Sequence, residues 1–225
     1  MQESAASNER AQPPVLDAIE ARILGCLIEK AATTPDAYPL TENAVVSACN
    51  QKTSREPVMH LETGAVAHAL RVLEGRQLVK VASSSQRALR YEHRFDTVYG
   101  TTVRQRAVLC VMLLRGPQTL AELLTRTDRI ADFPGLDDVR DTLDRLAQRE
   151  PALVMRIARA HGQREDRYMH LLCGPVDEER FAAAATQEPR ASSRSELADR
   201  VDSLEGDVAA LRAELEELRR ALGSG

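Results

Sequence analysis

Thr34-Pro35-Asp36-Ala37-Tyr38-Pro39-Leu40-Thr41-Glu42-Asn43-Ala44-Val45-Val46 packs a break, a cap and a new helix into one short run. Thr41 is placed to cap, because its hydroxyl can accept from a free backbone N–H, and Ala44, Val45, Val46, Ala48 and Cys49 supply a short apolar helix behind it. The polar segment Asn50 to Pro57 then interrupts the chain, since the residue before a proline is pushed out of the α region. A second helix is expected from Thr63, read as another capping residue, with Val66, Ala69, Leu70 and Leu73 at helical spacing. Gly75 reads as its C-cap, Leu78, Val79 and Val81 as a strand, Ser83 to Gln86 as a turn, and Leu89, Tyr91 and His93 as the return strand. Upstream, Leu16, Ile19, Ile23, Leu24, Leu27 and Ile28 form one stripe of a supporting helix that ends near Ala31, with Asp17, Glu20, Arg22, Glu29 and Lys30 outside the stripe. Helix, loop, helix, hairpin is the order of a winged helix.

The pattern then repeats. Val103 to Leu114 supplies a supporting helix, Gly116-Pro117 stops it, and Thr119-x-x-Glu122 is a capping box that opens the helix of Leu123 and Leu124. Another helix from Leu136 carries Val139, Leu143 and Leu146, and leads into Leu153 to Ile157, a polar turn around His161-Gly162-Gln163, and a return strand Tyr168 to Leu172. The two return strands share lettering, Arg90-Tyr91-x-His93 and Arg167-Tyr168-x-His170. On a strand, Tyr and His two residues apart face the same side, so packing at the base of each hairpin with hydrogen-bonded polar ends is the expectation for both pairs. The repeat predicts tandem winged helices in a mainly α fold with small β hairpins, an α+β class.

Composition limits the function classes. The chain has 225 residues, 43% apolar and 28% charged, as ordinary globular proteins do. No apolar run approaches the roughly 20 residues that span a bilayer, and the N-terminus lacks a secretory pattern, so a cytoplasmic protein with no membrane contact is expected. Cys26, Cys49, Cys110 and Cys173 lie far apart in mostly apolar segments with no Cys-x-x-Cys, and read as buried reduced thiols. His60 and His68 lack neighbours at a metal-ligand spacing. No metal, cofactor, catalytic residue or small-molecule substrate is expected, and no enzyme.

The segments Thr34 to Leu61, Leu113 to Thr119 and Arg164 to Leu171 resemble the YceH family of bacterial proteins, over roughly residues 16 to 222. The resemblance implies a tandem winged-helix fold with a C-terminal coiled coil, and brings no activity, ligand or catalytic residue. The expected organisation is a disordered lead-in over 1–14, winged-helix domains over 15–96 and 97–174, a linker over 175–194, and a coiled-coil helix over 195–223. In that helix, which Ser193-x-x-Glu196 can cap, Leu197, Val201, Leu204, Val208, Leu211, Leu215, Leu218 and Leu222 recur at 4,3 spacing. With valine confined to a positions and leucine alone at d, and with Arg200–Glu205, Asp207–Arg212 and Glu214–Arg219 complementary between chains, the seam predicts a parallel homodimer; the rival is that the helix folds back on its own globular part.

Charge tests the nucleic-acid reading. Lys and Arg against Asp and Glu count 11 and 11 over residues 1–94, 12 and 11 over 95–175, and 7 and 12 over the tail, so neither domain is strongly basic. The case rests on a patch in the first domain, Lys52, Arg55, His68, Arg71, Arg76, Arg87 and Arg90. Lys52 and Arg55 are expected to reach phosphate, Arg71 a base edge, and Arg87 the backbone or minor groove. The second domain suits DNA less, because Asp137, Asp138, Asp141 and Asp144 outnumber Arg140 and Arg145 on its corresponding helix, although Arg156, Arg159, Arg164 and Arg167 make its hairpin basic. Two functions stay open: a dimeric regulator or nucleoid-associated factor on double-stranded DNA, and a protein-interaction scaffold that touches no nucleic acid.

Overall fold

Asp17 accepts from the backbone N–H groups of Ile19 and Glu20 while Glu20 reaches back to the Asp17 N–H, and this capping box starts helix α1, Ala18–Thr33. Nine consecutive residues of α1, Glu20 to Ile28, are buried. A helix buried on all sides needs a neighbour on every face. The computed structural model, which describes residues 14–82, 88–159 and 165–176, supplies those neighbours from both halves of the chain. The fold is α+β, with the described helices set around two small antiparallel sheets.

In the first half, β1 (Leu40–Thr41) runs into α2 (Glu42–Cys49), whose N-cap is Thr41 as expected. Next come α3 (Thr63–Gly75), β2 (Val79–Val81) and β3 (Arg90–His93). β3 lies between the other two strands, with Leu40 opposite Tyr91 and Val81 also opposite Tyr91. Thr63 is not the cap of α3 but its first residue, because Glu62 holds the cap position without a side-chain bond. Gly75 is likewise the last helical residue; Arg76 caps, and the left-handed position falls on Gln77 at φ 61°.

The second half repeats this plan: α5 (Val103–Arg115), α6 (Leu120–Thr127), α7 (Leu136–Ala147) and the hairpin β4 (Val154–Ile157) with β5 (Arg167–His170). The expected Thr119–Glu122 capping box is present. Gln118 bridges to Tyr168 as Leu40 pairs with Tyr91. Arg90 donates to the Pro39 carbonyl at 2.8 Å, and Arg167 donates to the Pro117 carbonyl at 3.1 Å, so one tie recurs in both halves. Tyr168 and His170 are both buried on one side of β5, whereas Nδ1 of His170 has no hydrogen-bond partner among the described residues, contrary to the expectation of satisfied polar ends.

Between the halves sits α4 (Phe95–Tyr99), which the sequence reading missed and through which its 96/97 boundary falls. Phe95 and Tyr99 are buried with ring centroids 4.7 Å apart, Tyr99 donates to the Pro14 carbonyl at 2.9 Å, and Arg149 donates to the Tyr99 carbonyl at 2.6 Å. Gly100 ends α4 in the left-handed region at φ 59°. One hydrophobic core runs from Leu16 to Leu172 without a break between the halves, inside a unit spanning Met1–Glu178. Its centre is the contact of α1 with α5, where a Cβ on Gly25 would stand 2.8 Å from Leu114 Cδ2 and 3.2 Å from Leu113 Cβ. The expected lead-in, apart from Pro14, and the seam Leu197 to Leu222 fall outside the described residues, as does nearly all of the linker.

Two outcomes are expected. Gly25→Ala forces buried leucines to shift and lowers the free energy of unfolding by about 1–3 kcal/mol, whereas Gly64→Ala, with nothing within 4 Å, leaves it unchanged or raises it by less than about 1 kcal/mol, measured by urea titration. Burial lowers the His170 pKa to about 4, below the ordinary 6.5, so the native state takes up a proton later than the unfolded chain. Stability is therefore full above pH 6.5 and falls by up to about 3 kcal/mol as pH drops to 4, with His93 acting in the same sense; His170→Leu flattens that slope in parallel titrations.

Candidate nucleic-acid interface

The loop between α2 and α3, residues 50–62, was expected to carry phosphate contacts at Lys52 and Arg55. Arg55 instead points inward, its side chain wholly buried. It grips Glu29 of α1 with two bonds of 2.6 and 3.1 Å, and it donates from Nε to the Ala48 carbonyl at 3.0 Å, closing the C-terminus of α2. The reason is that α2 ends with unpaired carbonyls beneath a covering loop, where a cation with fork geometry satisfies both carbonyl and carboxylate. Burial works against ionised Glu29, but hydrogen bonds and charge from Arg55 outweigh it and hold the carboxyl below its ordinary range. Arg55 is thus a structural residue and not a phosphate contact.

Arg22, expected outside the apolar stripe, is also buried, and donates to the carbonyls of Cys49 at 3.3 Å and Pro57 at 2.7 Å. Asn50 pairs with both backbone groups of Leu61, and the Glu56 N–H donates to the Leu114 carbonyl at the end of α5. Four ties hold this loop to the core. Sequence reasoning missed Arg22, Glu29 and Asn50; the available signal was a charged residue among apolar neighbours on α1 at each of positions 22 and 29.

Arg76 is displaced from the patch as well. It pairs with buried Glu20 at 3.0 Å and donates to the Val15 carbonyl, beside the start of α1. Arg90 spends its guanidinium on Pro39. Arg87 lies outside the described residues. What the structure brings to one open face is the α3 stripe Gly64, His68, Arg71 and Gly75, at helical spacing and all exposed. Exposed Lys52 belongs to the loop that leads to it. Neither Lys52, His68 nor Arg71 makes an ion pair among the described residues.

On the matching helix of the second half, Asp137 pairs with Arg140 and Asp138 with Arg104, while Asp141 and Asp144 stay exposed. The β4–β5 hairpin is less basic than its sequence suggested, because Asp166 holds Arg156 at 3.1 Å and Arg167 turns to Pro117 and Glu122. Between α6, α7 and the hairpin lies a cavity of about 440 Å³ lined by Leu120, Leu136, Arg140, Arg156, Arg159 and Tyr168, among others.

A sequence profile described as a protein of unknown function, DUF480, matches residues 16–163. The chain belongs to the DUF480 family. This is the uncharacterised bacterial family to which the YceH resemblance pointed, and its curated relatives carry the name UPF0502. A UPF0502 protein of Stenotrophomonas maltophilia (strain K279a) is 54% identical over 209 residues, covering 92% of this chain and 95% of the relative. One from Xanthomonas axonopodis pv. citri (strain 306) is 54% identical over 217 residues, with 96% and 95% covered. The match to DUF480 takes in both repeats up to the second hairpin, so the family unit is the pair of halves and not one of them. No helix among the described residues of this DUF480 protein is long and apolar enough to cross a membrane.

Arg55→Leu strands the Glu29 carboxylate and the α2 carbonyl, and is expected to cost about 3–5 kcal/mol of stability, whereas Lys52→Ala stays within about 0.5 kcal/mol. Chemical denaturation of both variants checks this; equal stability would return Arg55 to the surface patch.

Proposed function

We propose that this protein is a homodimeric, cytoplasmic DNA-binding protein in which each half is a winged helix, and that it acts by binding rather than by catalysis. The observation that carries the reading is the α3 stripe. In a helix–helix–hairpin unit, α3 is the element free to enter a major groove, and on its exposed face two glycines keep the surface low on either side of His68 and Arg71, with Thr63 and the Glu74 carboxylate exposed near its ends. Lys52 flanks it for phosphate, and Arg71 is the side chain suited to a guanine edge. The seam Leu197 to Leu222 would join two such units, and Arg87 would add a backbone contact from the hairpin.

A second reading, the protein scaffold, is favoured by the second half. Its exposed Asp141 and Asp144 repel phosphate, and its cavity combines Leu120, Leu136 and Tyr168 with arginines, as a peptide site does. With Arg55, Arg76 and Arg90 engaged by other groups of the protein, DNA affinity rests on few contacts.

Fluorescence anisotropy with the full chain and labelled duplexes at low salt tests the first reading. With Lys52 as the described phosphate contact, the plot of log K against log salt is expected to have a slope of about −1 per chain. Lys52→Ala lowers it by about one for every sequence, and Arg71→Ala also erases sequence preference at a cost of about 1–3 kcal/mol. Absence of any duplex binding, or binding indifferent to both changes, leaves the scaffold reading in place.

A further inference from the structure

The cavity between α6, α7 and the β4–β5 hairpin holds about 440 Å³, toward the small end of the roughly 300–1,000 Å³ of small-molecule sites. It has room for one small molecule. Its apolar side is made by Leu120 and Ala121, the first two residues of α6, and by Leu136, the first residue of α7, which stays half-exposed. Tyr168 of β5 lines the same cavity although only 8% of its surface is open. Burial raises its phenol above the ordinary range, so at neutral pH the group is an O–H donor, and its hydroxyl makes no hydrogen bond among the described residues. A nearly buried donor without an acceptor favours whatever can enter and accept from it.

The charged side carries three guanidiniums, those of Arg140, Arg156 and Arg159, against two carboxylates, those of Glu165 and Asp166. Asp166 is engaged twice: one oxygen accepts from Nε of Arg156 at 3.1 Å and the other from the backbone N–H of Arg159 at 3.0 Å. It holds the two ends of the hairpin together. Arg140 gives one terminal nitrogen to Asp137, a carboxylate that faces solvent, and such a pair contributes little. Arg140 and Arg156 therefore keep N–H groups with no acceptor among the described residues, and the Arg159 guanidinium makes no ion pair among them. Guanidinium forks that are open in this way suit a carboxylate. The balance of three charges against two also sets a limit, because a second anionic group on a ligand would meet Glu165 and Asp166.

We propose that this cavity binds a small organic monoanion, a carboxylate on an aromatic or branched apolar body, with the body against Leu120 and Leu136 and the carboxylate shared between the Arg159 guanidinium and the Tyr168 hydroxyl. Arg140 and Arg156 supply the surrounding positive field, and Glu165 restricts the ligand to a single negative charge. Because the lining comes from both helices and both strands, an occupant fastens α7 to the hairpin. The inference is independent of the DNA reading, which rests on α3 in the other half, and it gives the cavity a small molecule where the scaffold reading gives it a partner's peptide.

Isothermal titration calorimetry of the full chain at neutral pH tests it, with phenylbutyrate as the probe. Phenylbutanol keeps the apolar body without the charge, acetate keeps the charge without the body, and an N-acetylated peptide of alternating phenylalanine and aspartate stands for a protein partner. Saturable binding of one phenylbutyrate per chain is expected, at least about tenfold tighter than binding of the alcohol or of acetate. Arg159→Gln, which alters an exposed side chain, weakens it by about tenfold or more, and Tyr168→Phe, which keeps the ring, by about threefold. Glu165→Gln tightens it, because a like charge is removed. Circular dichroism confirms that each variant is folded; should Tyr168→Phe fold poorly, the two surface changes still decide. Absence of phenylbutyrate binding, equal affinity for the alcohol, or affinity unmoved by Arg159→Gln overturns the proposal. Weaker binding in Glu165→Gln overturns it too, in favour of a ligand bearing an ammonium group, and binding of the peptide alone returns the cavity to the scaffold reading.

Discussion

Gly25 lets α1 and α5 approach until a leucine pair of one helix lies against the bare backbone of the other. Once two helices are this close, each occupies a face that an isolated repeat would leave to water. Nine residues in a row on α1 and eight on α5 are accordingly buried. The shared core, the tie from Glu56 to the α5 terminus and the wedge of α4 all follow from that approach, because they fill the margins around it. Each repeat is the other's missing wall.

That arrangement also explains why charged residues lie inside. α1 is too enclosed to turn its polar positions to solvent, so Glu20, Arg22 and Glu29 must be answered within the protein. Arg76 answers Glu20, Arg55 answers Glu29, and the carbonyls at the end of α2 and along the loop answer Arg22. Unanswered, such groups would cost several kcal/mol each. The second half has a shorter connection between its paired helices, and the arginine that holds it, Arg104 donating to the Asp132 carbonyl at 3.0 Å, is half-exposed where Arg55 and Arg22 are buried. The asymmetry between the halves is concentrated in this loop.

What could be read from sequence was what is local. Thr41 and Thr119 were recognisable caps because the bonds they make lie within three residues, and the repeat was visible because both return strands carry the same lettering. Thr63 and Gly75 misled by one or two residues, since cap propensity yields to where the core lets a helix begin and end. The fate of Arg55 was not legible, because its partner lies 26 residues away on a helix whose hydrophobic period suggested one buried face. A glycine in the middle of that helix was the overlooked sign of a second one. Five-residue α4 is too short to show a period, and Cys173, grouped with the buried thiols, is exposed because it follows the last strand.

Leu16 donates to the Leu172 carbonyl at 2.8 Å, a bond that joins the start of the shared core to its end. Among the described residues, the path through both halves therefore returns to where it began. A short tether between the residues near Pro14 and those near Pro175 would complete it, and new termini placed between β2 and β3 or between β4 and β5 would then yield a circularly permuted chain with the same core. The order in which the two halves are written along the polypeptide is a matter of where the ring happens to be opened.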